Sequence, residues 1–229
     1  MKTAQKGNKV DLYRDYSKEY AATRNPALVK VGPAMYLSIS GQGAPGSDAF
    51  SEAVGALYGV AFTVKMTRKF AGKGDYVVSK LEGLWPDFSS GAAMPEKNNW
   101  NWQMLIRTPK FVSQKEIAQA ASVLLKRGKG VEVQRVRLDA LEEGLCVQAL
   151  HVGSYEDEPA TIARMKSFAE SKGLKLSGIH HEIYLSDPRR VAPAQLKTIL
   201  RHPVEKKSDK SRESHSAGSE RTSNTRTGG

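Results

Sequence analysis

Cysteine occurs once in the 229 residues, at position 146, so no disulfide can close within the chain. Its neighbours Leu145 and Val147 mark Cys146 as a small apolar strand residue rather than a nucleophile. Long hydrophobic runs are also missing. No stretch approaches the roughly 20 apolar residues needed to cross a bilayer. The opening Met1-Lys2-Thr3-Ala4-Gln5-Lys6-Gly7 has no apolar segment of the signal-peptide kind. The expectation is a soluble, cytoplasmic protein without a membrane partner. Zinc-finger spacing, an H-E-x-x-H pair, a helix-turn-helix and an aromatic RNA-binding strand are all lacking. What is in surplus is positive charge, 35 Lys and Arg against 24 Asp and Glu, a formal +11. Clustered cations would release counterions from a phosphate backbone, but here they are spread over 65–69, 126–129, 135–137, 189–190 and the C-terminal stretch. That pattern is a solvated basic surface with no specific nucleic-acid partner, able to attract acidic partners non-specifically.

Hydrophobic residues make up 39% of the chain, enough for a sizeable core. Residues 10–22 read as an amphipathic helix stopped by Asn25-Pro26, within a helical N-terminal extension over 1–30. Residues 35–41 alternate apolar and polar as a half-buried strand does, and the Gly-rich 41–47 breaks them. Ser47 or Asp48 caps the next helix, where Phe50, Val54, Leu57, Tyr58, Ala61 and Phe62 recur at spacings of three and four. Strands are expected over 75–84 and 100–107, on either side of a loop at 86–99. A helix (113–126) and a strand (131–137) intervene before the order recurs, with strand 145–153, helix 156–172 and strands 179–185 and 197–202. The class is α+β: two βαββ repeats, about 31–112 and 131–204, in one domain over 31–204. The polar stretch 205–229 has no large apolar residue and is expected to be disordered. Gly41-Gln42-Gly43 with Gly46 imitates a dinucleotide fingerprint, but successive βαβ units are missing, so an ordinary strand-to-helix turn is the better reading.

By element order Glu82 and Glu182 fall at corresponding places in the two repeats; they lie 41 residues after Gly41 (82 − 41) and 29 after Gly153 (182 − 153), a difference that the longer first helix and its exit turn can absorb. Each lies in an apolar, aromatic strand where an ionised carboxylate is costly without a partner, and a shared cleft would explain both. Strand alternation puts His180, Glu182 and Tyr184 on one face and His181 on the other. Two ligands on a face, with no third in sight, argue against a metal site, and no cofactor is expected. Trp100 and Trp102 share a face and Trp85 ends the preceding strand, so the three indoles can converge on a planar or cationic ligand. Tyr58 sits on the core stripe of its helix, where its phenol needs a partner or a cavity.

Several blocks together resemble the GyrI-like small-molecule-binding family: Phe50 to Tyr58, Leu81-Glu82-Gly83-Leu84-Trp85, Trp100-Asn101-Trp102, Arg107-Thr108-Pro109 and His180-His181-Glu182-Ile183-Tyr184. The resemblance implies an antiparallel sheet from a tandem βαββ duplication, helices on one side, and a ligand cleft between the halves. The stand-alone branch with these motifs is similar to hydrolases that open the strained ring of DNA-alkylating cyclopropanoid compounds. It implies that Glu182, Tyr58 and neighbouring aromatics contribute to the active centre; joined with the strand faces above, the candidate catalytic residues are Glu182, Tyr58 and Tyr184, and the candidate ligand-binding ones Glu82, Trp85, Trp100, Trp102 and His180. Pro86 stands where the family commonly has a second Trp, which alters one wall of the cleft. Binding of lipophilic cations without turnover, and a gyrase-inhibitor-like protein-binding role, are the other functions the resemblance carries.

Overall fold

The computed structural model describes residues 9–86 and 96–207. In strand β2 (Ala34–Gln42), Leu37 and Ile39 face a helical layer while Ala34 and Tyr36 face the other way. Helix α3 (Asp48–Phe70) starts where the Ser47 hydroxyl accepts from the Phe50 N–H, and it buries Ala53, Leu57, Val60, Ala61 and Val64 on β2. Of the stripe expected there, Phe62 turns outward, 51% exposed. β3 (Leu81–Trp85) and β4 (Asn101–Thr108) complete the first repeat, and α4 (Gln114–Lys126), opened by a Ser113–Glu116 capping box, packs beside α3. The second repeat runs β6 (Gly144–Val152), α5 (Glu158–Ser171), β8 (His180–Tyr184) and β9 (Lys197–Lys206), with a short β7 (Leu174–Leu176) before β8. The α+β duplication expected from the sequence is what forms.

The strands lie in the order β1-β6-β9-β8-β3-β4-β2-β5, with β7 on β9, all antiparallel. The halves meet where β3 pairs with β8. The outermost strands are exchanged: β1 (Ala27–Val31) runs into β2 through Gly32 and Pro33 but pairs with β6, and β5 (Arg137–Leu141) runs into β6 through Glu142 and Glu143 but pairs with β2. Laid flat, six strand spacings of about 4.8 Å would hold β1 about 29 Å from β2. Three Cα steps span at most about 11 Å, so the sheet must roll up. The helices sit outside the roll. The inner face is filled by its own side chains and by the N-terminal segment, whose Tyr20 packs on Ile183 and Ile199.

Several elements depart from the sequence reading. Residues 10–22 form two single turns, α1 (Leu12–Asp15) and α2 (Ser17–Tyr20), broken at Tyr16. Leu12 and Tyr20 are buried on either side of the break, and the Arg107 guanidinium lies 4.0 Å from the Tyr16 ring centroid. The end of the expected helical extension is strand β1. β3 begins only at Leu81; earlier in the expected strand, Tyr76 makes an isolated bridge to Val10. Residues Val131–Arg135 form a 3-10 turn, which puts Val133 and Val136 together into the core, and the strand follows as β5. β9 continues to Lys206, and the expected disorder beyond it, like residues 1–8 of the extension, lies outside the described residues. Among the described residues no helix is long and apolar enough to cross a membrane.

One contact within this fold is testable directly. A Cβ at Gly41 would lie 2.2 Å from the Trp102 ring. Gly41→Ala should therefore lower stability by about 1–3 kcal/mol through overpacking, read as an earlier midpoint in urea denaturation followed by tryptophan fluorescence.

Candidate functional site at the junction of the halves

In the β3–β8 pair Gly83 stands opposite Glu182, and Glu82 stands opposite Ile183. Directly opposite residues share a face, so Glu182 projects to the outer, helical side and Glu82 into the roll. The two glutamates are one residue out of phase and share no cleft; Glu82 is not part of the ligand site expected from the sequence. A one-residue difference in register reverses the face.

On the outer side, Tyr184 Oη donates to Glu182 Oε2 at 2.8 Å and receives the Trp85 indole N–H at 2.9 Å. A Cβ at Gly83 would lie 2.8 Å from that indole nitrogen and 2.9 Å from that phenol oxygen, so glycine is what lets the two meet. His180 Nε2 stands 3.5 Å from Glu182 Oε1. The residue that sequence reasoning missed is Glu158, the first of α5, which reaches the Glu182 carboxylate from the helical layer. Burial, then the neighbouring Glu182 charge, pushes the Glu158 carboxyl well above the usual carboxylate range, which favours its protonated form hydrogen-bonded to Glu182. The Tyr184 phenol is likewise raised well above its ordinary value, by burial first and Glu182 second, and stays a donor. Glu158 reads in sequence as one more acid at a helix start. Its phase with Thr161, Met165 and Ala169, the buried stripe of α5, was the signal that places it inward.

The indoles converge as expected, through Phe50. Its ring stacks on Trp85 at 6.1 Å and meets Trp102 edge-on at 5.2 Å, and Trp85 meets Trp100 edge-on at 6.1 Å. Trp85 and Trp102 are buried in the α3 core, while Trp100 is only partly buried. Tyr155 stands edge-on to Tyr184 at 6.2 Å, with burial and Glu182 raising its phenol to about 12. Tyr58 stacks on Phe62 at 6.2 Å, and its phenol lies by the Leu81 backbone and is raised by burial and by Asp187. That places it at the rim of the junction rather than on the Glu182 carboxylate. Two cavities lie elsewhere. One of about 290 Å³ sits on the inner face against Tyr36, Leu105 and Asp139, and one of about 490 Å³ lies between Leu12, Tyr16 and Phe111. Neither is lined by the carboxyl pair, and the convergence of titratable groups marks the junction.

Inside the roll, Glu82 belongs to a buried ionic network. Its carboxylate accepts from Tyr20 Oη at 2.9 Å and stands 3.0 Å from His181 Nε2. His181 Nδ1 meets Glu143 at 2.9 Å, and Arg201 donates to Glu143 at 2.8 Å and to Gln148 at 3.1 Å. Burial works against a charged His181, but Glu143 and Glu82 overcome it and hold the imidazolium up to about 9. Burial likewise works against an ionised Glu143, yet His181 and Arg201 hold it down to about 2.

Residues 25–205 carry the family pattern of the GyrI-like small molecule binding domain. The chain belongs to this family. It is similar to a hydrolase from Listeria innocua at 36% identity and TM-score 0.78, over 86% of this chain and 100% of that one. It is also similar to an uncharacterized conserved protein from Listeria innocua at 37% identity and TM-score 0.79, over the same shares. The EcmrR C-terminal domain, at 13% identity and TM-score 0.55 over 80% of this chain and 98% of that one, shares the fold. No curated protein sequence matches the chain significantly. This is a small-molecule-binding GyrI-like domain, and the β3–β8 junction joins its two halves where a ligand cleft was expected.

Proposed function

We propose that this GyrI-like domain binds planar hydrophobic electrophiles at the outer junction and hydrolyses cyclopropanoid compounds there, as a cytoplasmic detoxifying activity. The observation that carries this reading is the buried carboxyl pair, Glu158 with Glu182, held to the Tyr184 phenol under an indole wall. A hydrolase at 36% identity supports it. The substrate enters past the partly exposed Trp100, Tyr155 and Tyr58. Glu182 takes a proton from water as the water oxygen bonds to the strained ring carbon. The opposing C–C bond breaks, its electrons pass into the conjugated carbonyl, and the oxygen that becomes anionic receives a proton from Tyr184 or Tyr58. One water is added and nothing leaves.

Incubating the protein with a cyclopropanoid alkylating agent should give a ring-opened product one water heavier, resolved by mass spectrometry. The acidity of the site favours a second reading, capture of lipophilic cations without turnover. A calorimetric titration that shows a cationic dye bound and the cyclopropanoid unaltered would replace the first reading with the second.

A further inference from the structure

The carboxyl pair at the junction takes part in one more arrangement, which brings in His180. His180 and Glu182 project from β8, and Glu158 comes to them from α5, so the third ligand that the strand alone did not offer is supplied by the helix. One donor atom from each lies within 4.8 Å of the other two. Two of the buried side-chain atoms, His180 Nε2 and Glu158 Oε1, have no hydrogen-bond partner, although their residues are 7% and 6% exposed. Buried polar atoms are rarely left so.

The geometry points to a site for one divalent transition-metal ion, of the Zn²⁺ or Mn²⁺ class, ligated by Glu158, His180 and Glu182. Donors around a tetrahedral ion with bonds of about 2.0–2.1 Å stand about 3.4 Å apart. The His180–Glu182 edge of the triangle, 3.5 Å, already matches that spacing, and the other edges are at most 4.8 Å. One imidazole nitrogen with two carboxylates suits zinc or manganese, whereas calcium needs six or more oxygens. Three protein ligands leave a fourth position for water. One outer contact of the kind such a site uses is present: Tyr184 Oη holds the second oxygen of Glu182 at 2.8 Å. A bound ion takes the lone pairs with which Glu182 would act on water, so metal and cyclopropanoid turnover compete. The site itself stands whether or not the domain is an enzyme.

The test uses the full chain, stripped with chelator and titrated with ZnCl₂ by calorimetry, with equilibrium dialysis and metal analysis for stoichiometry and no substrate present. One ion per chain is expected, together with a higher melting temperature. His180→Ala and Glu158→Gln should each weaken binding at least tenfold, while Glu156→Gln, next to the site but not a ligand, leaves it unchanged. Near-UV circular dichroism checks that each variant is folded; should Glu158→Gln unfold, His180→Ala decides. Failure of the wild type to bind zinc or manganese at micromolar concentrations overturns the assignment. So does stoichiometric binding that survives in folded His180→Ala.

Discussion

Glu182→Gln is expected to lower kcat for a cyclopropanoid substrate by about 10² to 10⁴, the usual worth of a positioned general base. The change is nearly isosteric and keeps an acceptor for the Tyr184 hydroxyl, so the wall of Trp85 and Trp100 should stay in place and KM should change little. It also removes a charge that faces Glu158, so the melting temperature should hold or rise. The contrasting variant is Glu82→Gln. Glu82 lies on the other face of the sheet, so its loss should reduce stability and leave turnover close to wild type. A Glu182→Gln enzyme within threefold of wild type under single-turnover conditions would sink the assignment, as would a large loss of turnover confined to folded Glu82→Gln.

Arg201→Met should destabilise the fold by about 3–5 kcal/mol, because it leaves a buried carboxylate with half its compensation. Arg201 is 1% exposed and ties Glu143 to Gln148 inside the roll. Urea denaturation at neutral pH measures the loss, and a cost below about 1 kcal/mol would mean the network is not held together by this charge.

The same network sets a pH dependence with two limbs. His181 is raised from 6.5 to about 9, so its contribution is whole below 6.5 and disappears as pH rises through 9. Glu143 is lowered from 4.5 to about 2, so its contribution is whole above 4.5 and disappears as pH falls towards 2. Stability from the network should therefore peak between about pH 4.5 and 6.5. His181→Gln, itself less stable, should lose the alkaline limb when unfolding free energy is measured from pH 6 to 10.

Much of this architecture was legible in the sequence. The cap at Ser47 or Asp48, the strands around Leu37 and Met104 and the helix expected over 113–126 rest on local signals, and local signals were obeyed. The face of Glu82 was not legible, because β3 and β8 are buried on both sides: Leu84 fills the interior and Trp85 the helical core. A strand apolar on both faces loses the alternation that tells inside from outside. Matching the repeats by element order then set one glutamate against the other, across a register that actually opposes Glu182 to a glycine. Glu182, Tyr184, His180 and Trp85 came out together because one short pairing, β3 with β8, places them. Glu158 and β1 depend on contacts with distant parts of the chain, which no local window contains.

The exchanged outer strands have a consequence for biosynthesis. When the first repeat has left the ribosome, β2 still lacks one neighbour, residues 137–141, and β1 has none at all until residues 144–148 are made. Edges left open in this way are templates for another chain. Each repeat therefore matures only by lending a strand to its twin, and an interrupted chain, or two chains synthesised side by side, would be apt to take that strand from a stranger instead.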